Sequence, residues 1–183
     1  MGKRLIQGIA FVLVLPSVLL SGFGRARMIF CTFAQFYALV PGVAGDYLRI
    51  AFYKGTLEQC SLNSRVSFGT FFAHPEARVS EGVYIGAYCV LGRVHVGART
   101  QIASGVQVLS GKSQHTRDAE GRISGSEHGA FSTVSIGADC WIGAAAIVMA
   151  DVGDHATVGA GAVVTKPVPA NSTAAGNPAR LLA

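Results

Sequence analysis

The chain has 183 residues, half of them hydrophobic and only 14% charged, with 23 glycines, four cysteines and a formal net charge of +5. At about 100–200 residues per domain, this is one domain with room for a small extension. A mean hydropathy of +0.42 is too apolar for a disordered chain. Glycine without a strict three-residue period excludes collagen, and four cysteines are too few for a disulfide-dense miniprotein. The second half is too polar for a polytopic membrane protein.

The basic charge sits at the N-terminus. The first 60 residues hold six basic and two acidic side chains, against nine and eight in the remainder. The cations punctuate apolar runs rather than spreading over a polar face, which suits an anionic membrane surface and not a nucleic acid. Leu5 to Leu20 is an apolar run preceded by Lys3 and Arg4, too short for a typical spanning helix. It has the outline of a signal peptide, but Arg25 and Arg27 follow at once and spoil the cleavage region. A second apolar stretch runs from Met28 to Ala44, broken by Gln35 and Pro41. Two short, cation-flanked helices predict a segment (residues 1–60) that dips into or lies on a membrane through residues 1–53, with all flanks on the cytoplasmic side. The cysteines (Cys31, Cys60, Cys89, Cys140) form no CxxC pair and read as reduced, buried thiols.

From Val79 the pattern changes. Ile85-Gly86, Leu91-Gly92, Val96-Gly97, Ile102-Ala103 and Val108 are followed, after an interruption, by Ile136-Gly137, Ile142-Gly143, Val148, Val152-Gly153, Val158-Gly159 and Val164. An aliphatic residue every sixth position, usually with Gly or Ala after it, is a hexapeptide repeat. Six residues make one short strand and one turn. Three such units close a triangular coil, and coils must stack to bury their apolar sides. The small residue after each aliphatic is expected to turn the corner at positive φ, which is cheap for glycine. Neither helical spacing nor period-two alternation fits these steps. Two steps depart from six: Leu91 to Val96 is five, and Val148 to Val152 is four, which predicts a corner cut short near Asp151.

The interruption, 109–133, is polar and carries His115 and His128. A loop this long inside a repeat is usually functional. The five histidines are separated by 21, 20, 13 and 27 residues. With no close pair, no catalytic metal is expected. His95 and His155 read as structural. Toward the C-terminus, Gly159-Ala-Gly-Ala162 offers a surface without bulky side chains, followed by Thr165 and Lys166. Pro167 and Pro169 end the repeat by removing ladder donors.

The runs Val134-Ser-Ile-Gly-Ala-Asp-Cys-Trp-Ile-Gly143, Val158-Gly-Ala-Gly-Ala-Val-Val-Thr-Lys166 and Gly176-Asn-Pro-Ala-Arg180 together resemble the hexapeptide-repeat acyltransferases. The resemblance is to the branch of maltose, galactoside, nodulation-factor and polysaccharide O-acetyltransferases, and it covers about residues 80–183. It implies a mainly β fold, a left-handed parallel β-helix over residues 61–183 with a C-terminal cap, and a homotrimer with sites between neighbouring prisms. It implies acetyl-CoA as donor, transferring acetyl to a hydroxyl of a glycan or membrane-linked polysaccharide precursor. His115 takes the place of the family's catalytic base, 26 residues before Trp141. Trp141 borders the site, with His128 and His74 as further lining. Ala144, Ala160, Thr165, Lys166 and Arg180 match positions that contact coenzyme A. Chemically, imidazole can take the hydroxyl proton near neutral pH, both substrates can be held together without an acyl-enzyme, and backbone N–H groups near Ser110-Gly111 are candidate oxyanion donors. The alternatives are an N-acetyltransferase of an amino sugar and a non-catalytic trimeric membrane scaffold.

Overall fold

A computed structural model of the chain describes residues 2–111, 115–123 and 131–182. Three helices, α1 (Gly2–Leu20), α2 (Arg27–Ala38) and α3 (Gly42–Thr56), precede a parallel β-helix. Its first face stacks β1 (Gln59–Cys60), β4 (Arg78–Val79), β7 (Val94–Val96) and β10 (Val134–Ile136), extended by single bridges at Val152 and Val168. The second face stacks β2 (Arg65–Val66), β5 (Tyr84–Ile85), β8 (Gln101–Ile102), β11 (Trp141–Ile142), β13 (Thr157–Val158) and β15 (Thr173–Ala175). The third stacks β3 (Phe71–Phe72), β6 (Val90–Leu91), β9 (Gln107–Val108), β12 (Ile147–Val148) and β14 (Val163–Val164). A final strand, β16 (Arg180–Leu181), turns back antiparallel on β15.

Alternation along the short strands of the coil places one side chain inside, or two on either side of an outward residue in β7 and β10. On the first face these are Cys60, Val79, Val96, Ile136, Val152 and Val168, all buried. The second face contributes Val66 through Ala174 and the third Phe72 through Val164, so the aliphatic of each unit stacks on its copies above and below. The coil therefore begins at Cys60, one turn before Val79, where the repeat signature becomes visible in the sequence. The helices share one apolar cluster with it.

The corners are not equivalent. Between first and second faces, and between second and third, every inward residue is followed six positions later by the next: 60, 66, 72; 79, 85, 91; 96, 102, 108; 136, 142, 148; 152, 158, 164; 168, 174. Between third and first faces the steps are seven, five, twenty-eight, four and four. The short step at Asp151 recurs at Lys166. All irregularity is confined to this third corner.

The expectation for the small residue is corrected. Positive φ occurs three residues after the inward aliphatic, as at Arg99, Asp139, Ala145, His155 and Asn171, and not at the glycine that directly follows it. That glycine meets a different demand. A Cβ on Gly143 would stand 2.4 Å from the backbone nitrogen of Ala160 in the next coil. Neighbouring strands lie about 4.8 Å apart, and the close approach leaves no volume there.

The N-terminal segment contains three helices where two were expected. Pro41 stands at the N-cap of α3 and not inside a helix. The helices cover the open end of the first coil, with α3 against β1 and β2, α2 against β3, and α1 packed along α3. Arg49, fully buried, pins the cap. Its Nε donates to Val66 O (2.8 Å), its Nη1 to Tyr37 O (2.9 Å) and Val40 O (2.7 Å), and its Nη2 to Asp46 (2.6 Å), which also binds Arg65. Tyr53 stacks edge-on against Phe72 at 4.9 Å. Cys60, Cys89 and Cys140 are buried and Cys31 is half-buried, all as free thiols. Burial pushes the Cys60 thiol up to about 12, which leaves it inert.

Gly143→Ala should therefore lower thermal stability by about 1–3 kcal/mol, the usual cost of forcing atoms into a packed site. Ala145→Gly, which relieves a left-handed backbone at φ 57°, should leave the melting temperature unchanged or raise it. A fall of similar size in both variants, read by calorimetry, would refute this division of labour.

Candidate active site

The third corner gathers most of the chemistry. Going up the prism it presents His74-Pro75-Glu76, then Arg93, the loop 109–133, Asp151, and finally Thr165 and Lys166. The loop leaves from the end of β9 and returns into β10, beside β7.

Its neck is built from residues that sequence reasoning did not single out. Ser132 N donates to Ser110 O (3.0 Å), and the buried Ser110 hydroxyl accepts from Arg93 N (2.9 Å). Val134 N donates to Arg93 O (3.0 Å). Gly111 has φ +82°, and a Cβ there would strike the Ser132 hydroxyl at 2.0 Å. Phe131 is gripped from two sides: the Arg93 guanidinium lies 5.4 Å from its ring centre and the His74 imidazole 5.3 Å. Glu76 holds this group in place, bonded to Arg27 and 3.7 Å from Arg93. Farther out the chain doubles back between Arg117 and Ile123, where the Asp118 carboxylate accepts from Glu120 N (3.0 Å) and Arg122 N (2.8 Å). His115, exposed, stands between neck and tip. His128 lies outside the described residues. Ser110 and Gly111, taken from sequence as candidate oxyanion donors, form the neck.

The remaining candidates fall on three lines. Thr165, half-buried, and Lys166, exposed, follow β14 on the same corner as the loop. Ala144 and Ala160, both exposed, stack one above the other at the second corner, where Gly161 N donates to Ala144 O (2.8 Å). Arg180 reaches the same border from β16, in register with Ala175. The third face lies between these two borders, with Gln107, Ile147 and Val163 outward and in register. Trp141, 61% exposed, is on the second face between Gln101 and Thr157. Within one chain, therefore, the coenzyme A candidates flank a single face, the loop that carries His115 leaves from the end of that face at β9, and Trp141 stands around the corner from them. Among the described residues, no three His, Cys, Asp or Glu side chains cluster as a metal site would require.

Residues 133–166 match the model of the hexapeptide repeat of succinyl-transferase. Serine acetyltransferase 2 of Arabidopsis thaliana is 35% identical over 128 residues, 67% of this chain and 35% of that protein. Serine acetyltransferase of Salmonella typhimurium is 36% identical over 110 residues, 60% of this chain and 37% of that protein. The chain thus spans about a third of the length of these curated relatives. Among solved structures, a maltose O-acetyltransferase from Clostridium difficile 630 superposes with a TM-score of 0.67 at 22% identity, over 87% of this chain and 86% of that one. An N-acyltransferase from Bacillus cereus, in complex with dTDP-4-amino-4,6-dideoxyglucose and coenzyme A, superposes with a TM-score of 0.53 at 18% identity, over 66% and 69%. Fold and repeat together define a left-handed parallel β-helix. The chain belongs to the hexapeptide-repeat acyltransferase family.

Two predictions follow from the neck. Phe131→Ala removes a ring contact and a cation contact, each of about 0.5–1.5 kcal/mol. Trypsin cleavage at Arg117 and Arg122 should speed up by about two- to tenfold while the coil's melting temperature changes little. The second concerns His74, whose pKa is pushed down by burial first and by Arg93 second. A histidine depressed in the folded state binds its proton more readily once unfolded. Its contribution to stability is therefore intact above the unfolded value of about 6.5 and is lost as pH falls through the folded value. The denaturant midpoint should drop as pH is lowered from neutrality through this window, and His74→Gln should flatten that drop.

Proposed function

We propose that the chain transfers acetyl from acetyl-CoA directly to a hydroxyl of a glycan or membrane-linked polysaccharide precursor, with His115 as general base. The observation that carries this reading is the third face, bordered on one side by the small-residue ridge of Ala144 and Ala160 and on the other by the His115 loop and Lys166. The pantetheine arm lies along the ridge, where no side chain beyond Cβ obstructs it. Lys166 and Arg180 supply cations for phosphate, and Thr165 a hydroxyl for an amide.

The His115 imidazole accepts the hydroxyl proton as the acceptor oxygen attacks the thioester carbonyl. The tetrahedral intermediate then breaks its C–S bond. The thiolate leaves and takes the proton back from the imidazolium, so free coenzyme A is released and the base is restored. The gain comes from holding two substrates on one face, which turns a bimolecular encounter into an internal reaction.

The proposal includes a homotrimer, in which the exposed Trp141 of one prism borders the site of its neighbour. It places the enzyme at the cytoplasmic face of the membrane, where acetyl-CoA is available and where the cation-flanked apolar helices would hold it. Serine acetyltransferases at 35–36% identity favour hydroxyl acceptors in general and make serine a required member of any acceptor panel.

Thiol release from acetyl-CoA should be measured with sugars, lipid-linked glycans, amino sugars and serine, with His115→Ala beside the unaltered protein. Hydroxyl-dependent release that falls by about 10²–10⁴ in the variant is the expected result. Preference for the amine would turn the reading to N-acetyl transfer. An active His115→Ala would remove that residue from its role. No release with any acceptor and no acetyl-CoA binding would leave a scaffold.

A further inference from the structure

Among the described residues, thirteen of the eighteen exposed large hydrophobics lie between Leu5 and Val43, although that stretch is about a fifth of the chain. Large exposed apolar surface on a water-soluble fold marks an interaction site. The stretch also holds Lys3, Arg4 and Arg25, with Arg27 paired to Glu76, and no acidic residue precedes Asp46. Surface of this kind is complementary to an anionic bilayer.

Length and composition alone would let α1 cross a membrane, but its contacts argue otherwise. One side, Gln7, Ala10, Val14, Ser17 and Val18, is buried. Near the N-terminal end Gln7 Nε2 donates to Leu62 O (2.8 Å), at the first corner of the first coil. Near the C-terminal end Ser17 bonds the Tyr37 hydroxyl (3.0 Å). Just beyond, Gly24 sits so close to Thr56 that a Cβ would meet its carbonyl oxygen at 2.3 Å, with Pro75 of the third corner beside it. A helix of 19 residues, about 28 Å long at 1.5 Å per residue, is thus bonded to the first corner near its N-terminal end and to α2 near its C-terminal end, and the turn that follows it sits against α3 and the third corner. It lies across the end of the prism. Standing it upright in a bilayer would tear out all of these contacts.

We infer that the outer face of α1, with Leu5, Ile9, Val12, Leu13 and Leu20 exposed, is an in-plane docking surface for an anionic membrane and holds the prism end-on. This rests on the acetyl-transfer reading only for its consequence, which is a fixed stand-off. The loop neck leaves between the third and fourth coils. Three strand spacings of about 4.8 Å and a helical cap at least about 10 Å thick put it roughly 25 Å or more from the docking face. The headgroup zone of a leaflet is only about 5–8 Å deep. A sugar attached directly to the lipid stays in that zone, beneath the site. The acceptor class that fits is a lipid-linked glycan of several sugars, acetylated away from its lipid end.

The full-length protein should float with phosphatidylglycerol-containing vesicles and not with pure phosphatidylcholine. Val12→Glu with Leu13→Glu, both exposed and so neutral for folding, should cut vesicle partitioning by at least about tenfold. Lys3→Gln with Arg4→Gln should cut it by about tenfold. In a Cys31→Ser background, Gly2→Cys and Phe23→Cys should both react with an impermeant maleimide added outside sealed vesicles. Labelling at one end only means a spanning helix and overturns the proposal, as does unchanged flotation of Val12→Glu/Leu13→Glu. If that variant instead changes the particle mass in lipid-free buffer while the unaltered protein ignores vesicles, the face binds another copy of the chain and the proposal fails. On vesicles, transfer to multi-sugar lipid-linked acceptors should exceed transfer to single-sugar ones. Equal transfer overturns the stand-off. Soluble glycans separate the two readings: their acetylation by the Glu variant leaves the chemistry standing where docking has failed, and flotation without any transfer does the reverse.

Discussion

Parallel stacking at about 4.8 Å is the constraint on which everything else in this molecule rests. Each coil hydrogen-bonds through its backbone to the next, as in Ala103 N to Ile142 O and Gly143 N to Val158 O. That spacing excludes a Cβ at Gly143 and demands an aliphatic inside at Ile142. It also requires a left-handed residue three positions on, which the chain supplies even at Arg99, Asp139 and His155 where no glycine is present. Two corners obey this rule in steps of six. The third does not need to. As long as Val134–Ile136 resumes pairing with Val94–Val96, the chain is free to leave the coil and return. The loop can exist there, and so can two four-residue shortcuts, without disturbing the prism.

The same logic explains the cap. A stack of coils ends in unpaired strands and an open apolar interior, and repeat proteins need a terminal element that covers both. At the N-terminal end Arg49 binds three helix-associated elements to the coil through Val66. Burial pushes its pKa down, and the Asp46 carboxylate works against that. A buried cation with several carbonyls and a carboxylate around it gives orientation as much as energy, because removing it would strand each of those acceptors at about 1–3 kcal/mol apiece. The cap thus has a fixed attitude on the prism.

How much of this was legible in the sequence follows from the same physics. The six-residue period from Val79 onward is a backbone rule, so it shows in one sequence, and with it the fold. The first coil carries a fainter signal: Cys60, Val66 and Phe72 hold the period, but Ser61, Ser67 and Ala73 follow them, so the glycine signature is absent. The role given to those glycines was wrong because the sequence shows that a small residue is needed but not whether the reason is φ or a neighbouring coil. Thr165 and Lys166 follow from counting steps, and the loop that carries His115 shows as the interruption of the count. The neck could not. Phe131, Arg93, His74 and Glu76 meet across 57 residues of chain, and no spacing rule connects a loop's return to a corner two coils earlier. Trp141 shows the limit from the other side. Its two-residue strand alternation makes it outward-facing, but which of three faces it occupies relative to His115 emerges only when coils are counted from Cys60.

The surface proposed for coenzyme A is then a consequence of the stacking rule and not an addition to it. Coil contact strips Gly143 and Gly159 of side chains. The residues after them, Ala144 and Ala160, sit on a corner whose turn geometry is fixed by Ala145 and Gly161 at positive φ. A ridge without bulk arises wherever such corners stack, which makes a long, thin ligand the natural occupant of any prism of this kind. What distinguishes one such protein from another must lie where the rule lapses, at the third corner. There the chain can lengthen or shorten between fixed feet, Ser110 and Ser132, and change the acceptor it meets while leaving donor binding and the coil untouched.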